Sequence, residues 1–324
     1  MKKIKTAVIG VGYLGKYHAE KYAVLPNSEL VAVCDIDFEK CYSKANELNV
    51  KPISNYQVLL GLVDAVSIAV PTPLHHRIGR FFLDNGVHVL LEKPIATSLK
   101  EADDLISAAQ KNNVILQIGH LERFNSAVKA IESQISNPRF IESLRLAPFK
   151  LRGSDVNVVL DLMIHDIDII QTIVKSDIHN ISANGASILS PYIDIANARI
   201  EFSNGCVANV TASRVSPKTE RKLRIFQRDN YIAIDLDHKK IAIFRKGTQE
   251  IYPGIPEITC QVKQFKKGDA LLEQILAFLD AIMYKKLPLV SGEEGKRALE
   301  TALEILLIVR RTNEQFPISS VTIS

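Results

Sequence analysis

The pattern of apolar positions changes texture near residue 120. Before that point, short runs of β-branched residues alternate with longer segments whose apolar residues recur at helical spacing, the pattern of βαβ units around a mostly parallel sheet. Strands are predicted at residues 4–9, 30–34, 65–70, 87–91 and 114–118, with helices between them. One helix has marked ends: Ser98 followed three residues on by Glu101 reads as a capping box, and Gly86 reads as the stop of the helix before it.

Beyond residue 121 the pattern predicts a helix over 125–136, a loop around Pro138, a strand at 140–146 and a helix over 156–174. Six β-type runs follow, at 181–187, 194–202, 206–214, 221–227, 231–236 and 241–244, separated by turns such as Ser203-Asn204-Gly205. That succession is the signature of an antiparallel sheet. Two closing helices are predicted at 271–284 and 293–312, the last expected to pack back on the first domain. The expected architecture is α/β: a doubly wound nucleotide-binding domain over 1–121, then an α+β domain over 122–324 with a large, mostly antiparallel open sheet.

Composition excludes several classes. A chain of 324 residues, 47% hydrophobic and 23% charged, can bury two real cores and is neither disordered nor fibrous. The formal charge is only +4, and Lys and Arg are dispersed, so nucleic acid is not an expected partner. Cys34, Cys41, Cys206 and Cys260 form no Cys-x-x-Cys and no cluster with metal spacing, so reduced thiols are expected, with no bound metal and no disulfide framework. No long apolar region follows Met1-Lys2-Lys3-Ile4, and no run approaches membrane-spanning length, so a cytoplasmic location without a membrane partner is expected.

Chemistry is concentrated at strand ends. Gly10-Val11-Gly12-Tyr13-Leu14-Gly15 follows a predicted strand and opens a helix, the context in which glycines allow a tight turn and close approach to a pyrophosphate. The second strand ends at Asp35, whose carboxylate can accept from adenosine ribose hydroxyls and repels a 2′-phosphate, favouring NAD over NADP. After the next strand, Thr72 and His75 could reach the cofactor, or could simply stiffen and cap a turn. The run 87–91 leads directly into Glu92-Lys93-Pro94, which puts Lys93 at the carboxyl end of a strand, where open α/β sheets bind ligands.

A further constellation lies at Asp161-Leu162-Met163-Ile164-His165-Asp166-Ile167-Asp168. On a helix of roughly 100° per residue, Asp161, His165, Asp168 and Thr172 share an arc of about 40–60°. Most other positions there are Val, Leu, Ile or Met. Burying such groups is costly unless they are paired or face a wet cavity, which points to a site. Asp161 and His165, at i and i+4, can touch, the acid fixing the tautomer and raising the basicity of the ring. A metal-binding stripe and a purely structural Asp-His pair are the alternatives.

Taken together, Gly10-x-Gly12-x-x-Gly15-x-x-His18, Glu92-Lys93-Pro94 and Asp161-x-x-x-His165 resemble the glucose-fructose oxidoreductase and inositol dehydrogenase family over nearly the whole chain. The resemblance implies a nicotinamide-binding Rossmann domain and a second domain whose open sheet often makes dimer or tetramer contacts. It matches Lys93, Asp161 and His165 to the family's catalytic group and implies NAD as cofactor, held by Gly10, Gly12, Tyr13, Leu14, Gly15, Asp35, Thr72, His75, Glu92 and Lys93. Residues 119–125 and 152–166 are similar to bacterial dehydrogenases that oxidise the 3-hydroxyl of UDP-N-acetylglucosamine for a partner aminotransferase, on the way to the diamino sugars of lipid A. Arg123, Arg152 and Arg214 could pair with the diphosphate of such a substrate. Either His165 or Lys93 could serve as base. A free sugar, inositol or related polyol is the alternative substrate class, and a non-catalytic NAD-sensing regulator the alternative without turnover.

Overall fold

The computed structural model describes residues 3–150, 153, 156–265 and 268–315. Along the chain the first elements are β1 (Ile4–Ile9), α1 (Gly15–Val24), β2 (Ser28–Cys34), α2 (Phe38–Leu48), β3 (Lys51–Ile53), β4 (Ala65–Ile68), α3 (His75–Asp84), β5 (His88–Glu92), α4 (Leu99–Lys111) and β6 (Leu116–Gly119). Then come α5 (Ser126–Ile131), β7 (Phe140–Leu146), α6 (Ile164–Val174), β8 (Ile178–Ala186), β9 (Ile195–Phe202), β10 (Val207–Ser213) and β11 (Glu220–Phe226). The last are β12 (Asn230–Asp235), β13 (Lys240–Tyr252), β14 (Ile255–Gln264), α7 (Ala270–Met283) and α8 (Gly292–Gln315). These elements form two compact units, Met1–Phe124 with Asp269–Leu299, and Asn125–Gly268 with Glu300–Ser324.

The first unit is a six-stranded parallel sheet in the order β3-β2-β1-β4-β5-β6. The order reverses between β1 and β4, the switch point at which doubly wound sheets open a ligand crevice. Because helices cover both faces, its central strands are buried on both sides rather than alternating: β4 is buried at all four positions. One core cluster joins Ala19 and Tyr22 of α1, Val33 of β2 and Leu90 of β5 to Ile275, Phe278 and Leu279 of α7. The start of α8 lies close against this unit: a Cβ on Gly292 would come within 2.8 Å of the Ile106 side chain, and one on Gly295 within 2.7 Å of Ile118. Ser98 caps α4 by accepting from the Glu101 amide, while the Glu101 carboxylate turns to Thr97, so the reciprocal half of the box is made one residue earlier than predicted. The three-residue edge strand β3, with Pro52 at its centre, is too short and too exposed to leave a periodic signal.

The second unit carries an eight-stranded sheet in the order β14-β13-β12-β11-β7-β10-β9-β8, antiparallel except for the parallel pair β7 and β10. Strict alternation in β7 buries Ile141, Ser143 and Arg145 on one face. On the other, half-buried Phe140, Phe226, Tyr231 and Phe244 form a cross-strand ladder with centroids 5.7, 4.8 and 5.1 Å apart.

Three predicted elements differ. The helix over 156–174 begins instead as a π-helical turn, Val159–Met163, that runs into α6. The helix over 125–136 is only α5 and a following 3₁₀ turn. The strand at 241–244 extends to Tyr252 and returns as β14, an edge strand exposed at nearly every position, with no buried face to impose alternation on its sequence. Among the described residues no helix is long and apolar enough to cross a membrane.

Candidate active site

The glycine-rich turn links β1 to α1 and is shaped by its lack of side chains. Gly10 has φ +86°, and a Cβ there would come within 2.7 Å of the Ala69 carbonyl oxygen. A Cβ on Gly15 would come within 1.7 Å of the Gly10 carbonyl oxygen, so that position admits no side chain without moving the turn. Gly12, by contrast, faces open space. The Asp35 carboxylate ties this turn to the end of β2, accepting from the Val11 amide at 2.7 Å and the Asp37 amide at 3.0 Å. Two bonds leave acceptor sites on both oxygens.

At the carboxyl end of β5, Glu92 accepts from His18 Nε2 at 3.0 Å, and the Lys93–Pro94 peptide that follows is cis. Burial alone would raise the Glu92 carboxyl, but the His18 hydrogen bond and the positive charge of Lys93 hold it below the usual carboxylate range. Across β6, His120 is fully buried, and burial together with the positive charges of Lys93 and Arg123 pushes it down to about 3, so the ring is neutral near pH 7. His120 lies within the 119–125 segment and carries no role of its own in the sequence reading; its place immediately after a strand in the same sheet is the local signal that marks it.

In the second unit Asp161 stands in the π turn and His165 in the first turn of α6, both half-buried. A π turn inserts an extra residue into the helical ladder and is frequently found at functional sites. The Asp161 carboxylate lies near Gly153, where a Cβ would come within 3.2 Å of Oδ2. Farther along the predicted polar stripe, Asp168 is 2% exposed. Its neighbour Asp166, unremarked in the sequence, makes a bidentate pair with Arg145 on β7 at 2.5 and 3.1 Å, which sets the rotation of α6 against the sheet.

Three expected binding residues are corrected. His75 is 1% exposed, and its two ring nitrogens each lie 2.9 Å from a backbone carbonyl oxygen, of Pro94 and Val70. It braces the loops after β4 and β5 from inside and presents no atom to a cofactor. Arg123 donates to Glu294 at 3.2 Å and to the Leu289 carbonyl at 3.4 Å. Arg214 donates to Asp194, Ser190 and the carbonyls of Gly153 and Val156, so its guanidinium is spent inside the second unit. Both arginines are buried, where an unpaired guanidinium would be costly, and internal partners meet that cost. Thr72 remains half-buried on the loop after β4, and Arg152 lies outside the described residues. Among the described residues no group of three or more His, Cys, Asp or Glu could hold a metal ion.

Residues 4–120 match the oxidoreductase family with an NAD-binding Rossmann fold, and residues 127–232 match the GFO/IDH/MocA C-terminal domain. The chain belongs to the GFO/IDH/MocA oxidoreductase family. Within it, the UDP-N-acetylglucosamine 3-dehydrogenase of Acidithiobacillus ferrooxidans is 37% identical over 310 residues, covering 95% of this chain and 98% of that protein. The solved structure of that organism's enzyme, GnnA, superposes with a TM-score of 0.89 at 35% identity, covering 96% of this chain and 99% of that one. The scyllo-inositol 2-dehydrogenase (NAD(+)) of Bacillus subtilis is 27% identical over 323 residues, covering 93% and 92%.

The GFO/IDH/MocA first domain is an NAD-binding one, and the residues present here fit a dinucleotide. Open space stands at Gly12 where a diphosphate must approach, the amino terminus of α1 begins at Gly15, and Asp35 waits at the end of β2 with acceptor capacity left.

Proposed function

We propose that this chain oxidises the 3-hydroxyl of UDP-N-acetylglucosamine to a ketone with NAD. The observation that carries this is the 37% identity, over 95% of the chain, to a dehydrogenase of that name. Gly10, Gly12, Tyr13, Leu14 and Gly15 hold the diphosphate of NAD, Asp35 its adenosine ribose, and Thr72, Glu92 and Lys93 line the way to the nicotinamide. When bound, NAD accepts the hydride that leaves the carbon being oxidised. An alcohol is far too weak an acid to lose its proton unaided near neutral pH. His165, oriented by Asp161, has the role of taking that proton, and the Lys93 ammonium that of stabilising alkoxide charge as it develops. The carboxylate of Asp35 disfavours a 2′-phosphate and so selects NAD over NADP.

A ketone is the kind of substrate an aminotransferase consumes, and on this reading the reaction serves the route to the diamino sugars of lipid A. The enzyme works in the cytoplasm as a homodimer or homotetramer, the half-exposed ladder of Phe140, Phe226, Tyr231 and Phe244 supplying apolar surface for self-association.

Incubating the protein with NAD and UDP-N-acetylglucosamine, with a carbonyl trap to draw the equilibrium, and following NADH absorbance tests this reading. NADH is expected with the nucleotide sugar and not with free sugars or inositols. Turnover on an inositol alone would overturn it in favour of the second reading, a polyol dehydrogenase, which the 27% identity to a scyllo-inositol enzyme favours.

A further inference from the structure

The interior of the first unit holds three polar side chains, Tyr22, Ser67 and His18, that no step above uses and that lead to Glu92. His18 and Tyr22, one turn apart on α1, are both buried, and Ser67 interrupts the otherwise apolar strand β4. Tyr22 Oη lies 3.0 Å from Ser67 Oγ, and Ser67 Oγ lies 3.1 Å from His18 Nδ1. His18 Nε2 in turn lies 3.0 Å from Glu92 Oε1. Polar groups so placed inside an apolar core are costly unless every member is satisfied, and a fully satisfied row is rigid.

Donor accounting gives the row one direction. An ionised carboxylate only accepts, so His18 Nε2 carries a hydrogen, and in the neutral ring Nδ1 then offers a lone pair. Ser67 fills that lone pair with its hydroxyl hydrogen and accepts from Tyr22, so each hydroxyl donates once. Burial raises the Tyr22 phenol against the opposing Ser67 hydrogen bond, which keeps it a donor. Reversing the row would send the phenol hydrogen into the apolar cluster to which Tyr22 belongs.

The far end is equally constrained. Gly119 is the register partner of Glu92 across β5 and β6. A Cβ on Gly119 would come within 2.9 Å of Oε1 and 3.0 Å of Oε2, so the carboxylate lies against bare backbone on one side and meets the His18 donor on the other.

We propose that Tyr22, Ser67 and His18 are positioning residues: they hold His18 in one tautomer, and His18 holds the Glu92 carboxylate fixed and charged beside Lys93. The role rests on the assignment of Lys93 to the reacting site made above. A carboxylate that could turn, or take up a proton, would change the field on the neighbouring ammonium; one held on both sides presents a constant field that needs no reorganisation during the reaction.

Two measurements test this. Nitrogen-15 NMR of histidine-labelled protein, with His18→Gln to assign the signal, is expected to show His18 with its hydrogen on Nε2 and a lone pair on Nδ1 at neutral pH; a hydrogen on Nδ1 would overturn the proposal. In kinetics, His18→Phe is expected to lower kcat by about tenfold or more, the scale of a lost hydrogen bond to a charged group, with a smaller fall in NAD affinity. The acid limb of its kcat profile should move to higher pH, because Glu92 without its donor is protonated more readily. His18→Gln, which can still donate to Glu92, should recover most of the rate. If the Phe and Gln variants behave alike, or the acid limb stays in place, the row is only structural and the proposal fails. The NMR arm needs no substrate, so failure of the nucleotide-sugar assignment would leave it intact and recognisable as a separate failure.

Discussion

Gly12 and Gly15 lie in the same turn yet answer to different constraints. Gly15 has the Gly10 carbonyl 1.7 Å from where a Cβ would stand, whereas Gly12 has nothing within reach. Gly15→Ala is therefore expected to displace the turn and lower the thermal midpoint as well as NAD affinity. Gly12→Ala should leave the midpoint near wild type and weaken NAD by about tenfold or more, because its methyl enters the space a diphosphate needs. Calorimetry beside a cofactor-fluorescence titration separates the two; equal midpoints for both variants would contradict the geometry. His120 supplies a pH-dependent prediction at the same scale. Its pKa is depressed in the folded state, from 6.5 to about 3, so its contribution to stability is complete above pH 6.5 and is lost as pH falls toward 3. About 2 kcal/mol should disappear between pH 7 and pH 5 from this group. His120→Asn should flatten that slope in urea titrations, and an unchanged slope would remove His120 as its source.

Among the elements, α6 carries His165, the proposed base. The Arg145–Asp166 pair binds it to β7 with both partners buried. Arg145→Met alone strands a buried carboxylate and is expected to cost about 3–5 kcal/mol, whereas the double change with Asp166→Leu should recover most of that loss. Urea unfolding of these two variants and of Asp166→Leu alone measures the coupling, and simple additivity would show that the pair does not hold the helix. Much of this element was legible in its sequence: the Asp-x-x-x-His spacing and the apolar background predicted a buried helix with a polar site. The π turn was not legible, because apolar periodicity cannot distinguish one extra residue per turn over five positions. Nor was the partner of Asp166, since Arg145 is twenty-one residues away and only the packing of α6 on the sheet brings the two together.

At the scale of the whole molecule, the aromatic ladder on the second sheet carries the expectation of self-association. Tyr231→Glu places a charge in the middle of that ladder and is expected to reduce the solution mass to that of a single chain, as read by light scattering; an unchanged mass would assign the contact elsewhere. Local pattern was enough to place the alternating strands and helices of the first unit and the glycine turn after β1, with Asp35 just past β2 and Lys93 just past β5, because each position is written in residues adjacent in sequence or one helical turn apart. What the tertiary structure decided depends on distant residues meeting. It spent Arg123 on Glu294 and Arg214 on Asp194, although an arginine destined for an internal partner reads the same in sequence as one destined for a ligand. It buried His75 between two carbonyls, and it joined Tyr22, Ser67, His18 and Glu92 into one row from three separate elements. The physical reason is the same in each case: periodicity records which face of an element is buried, while the partner of a buried polar group is set by which elements become neighbours.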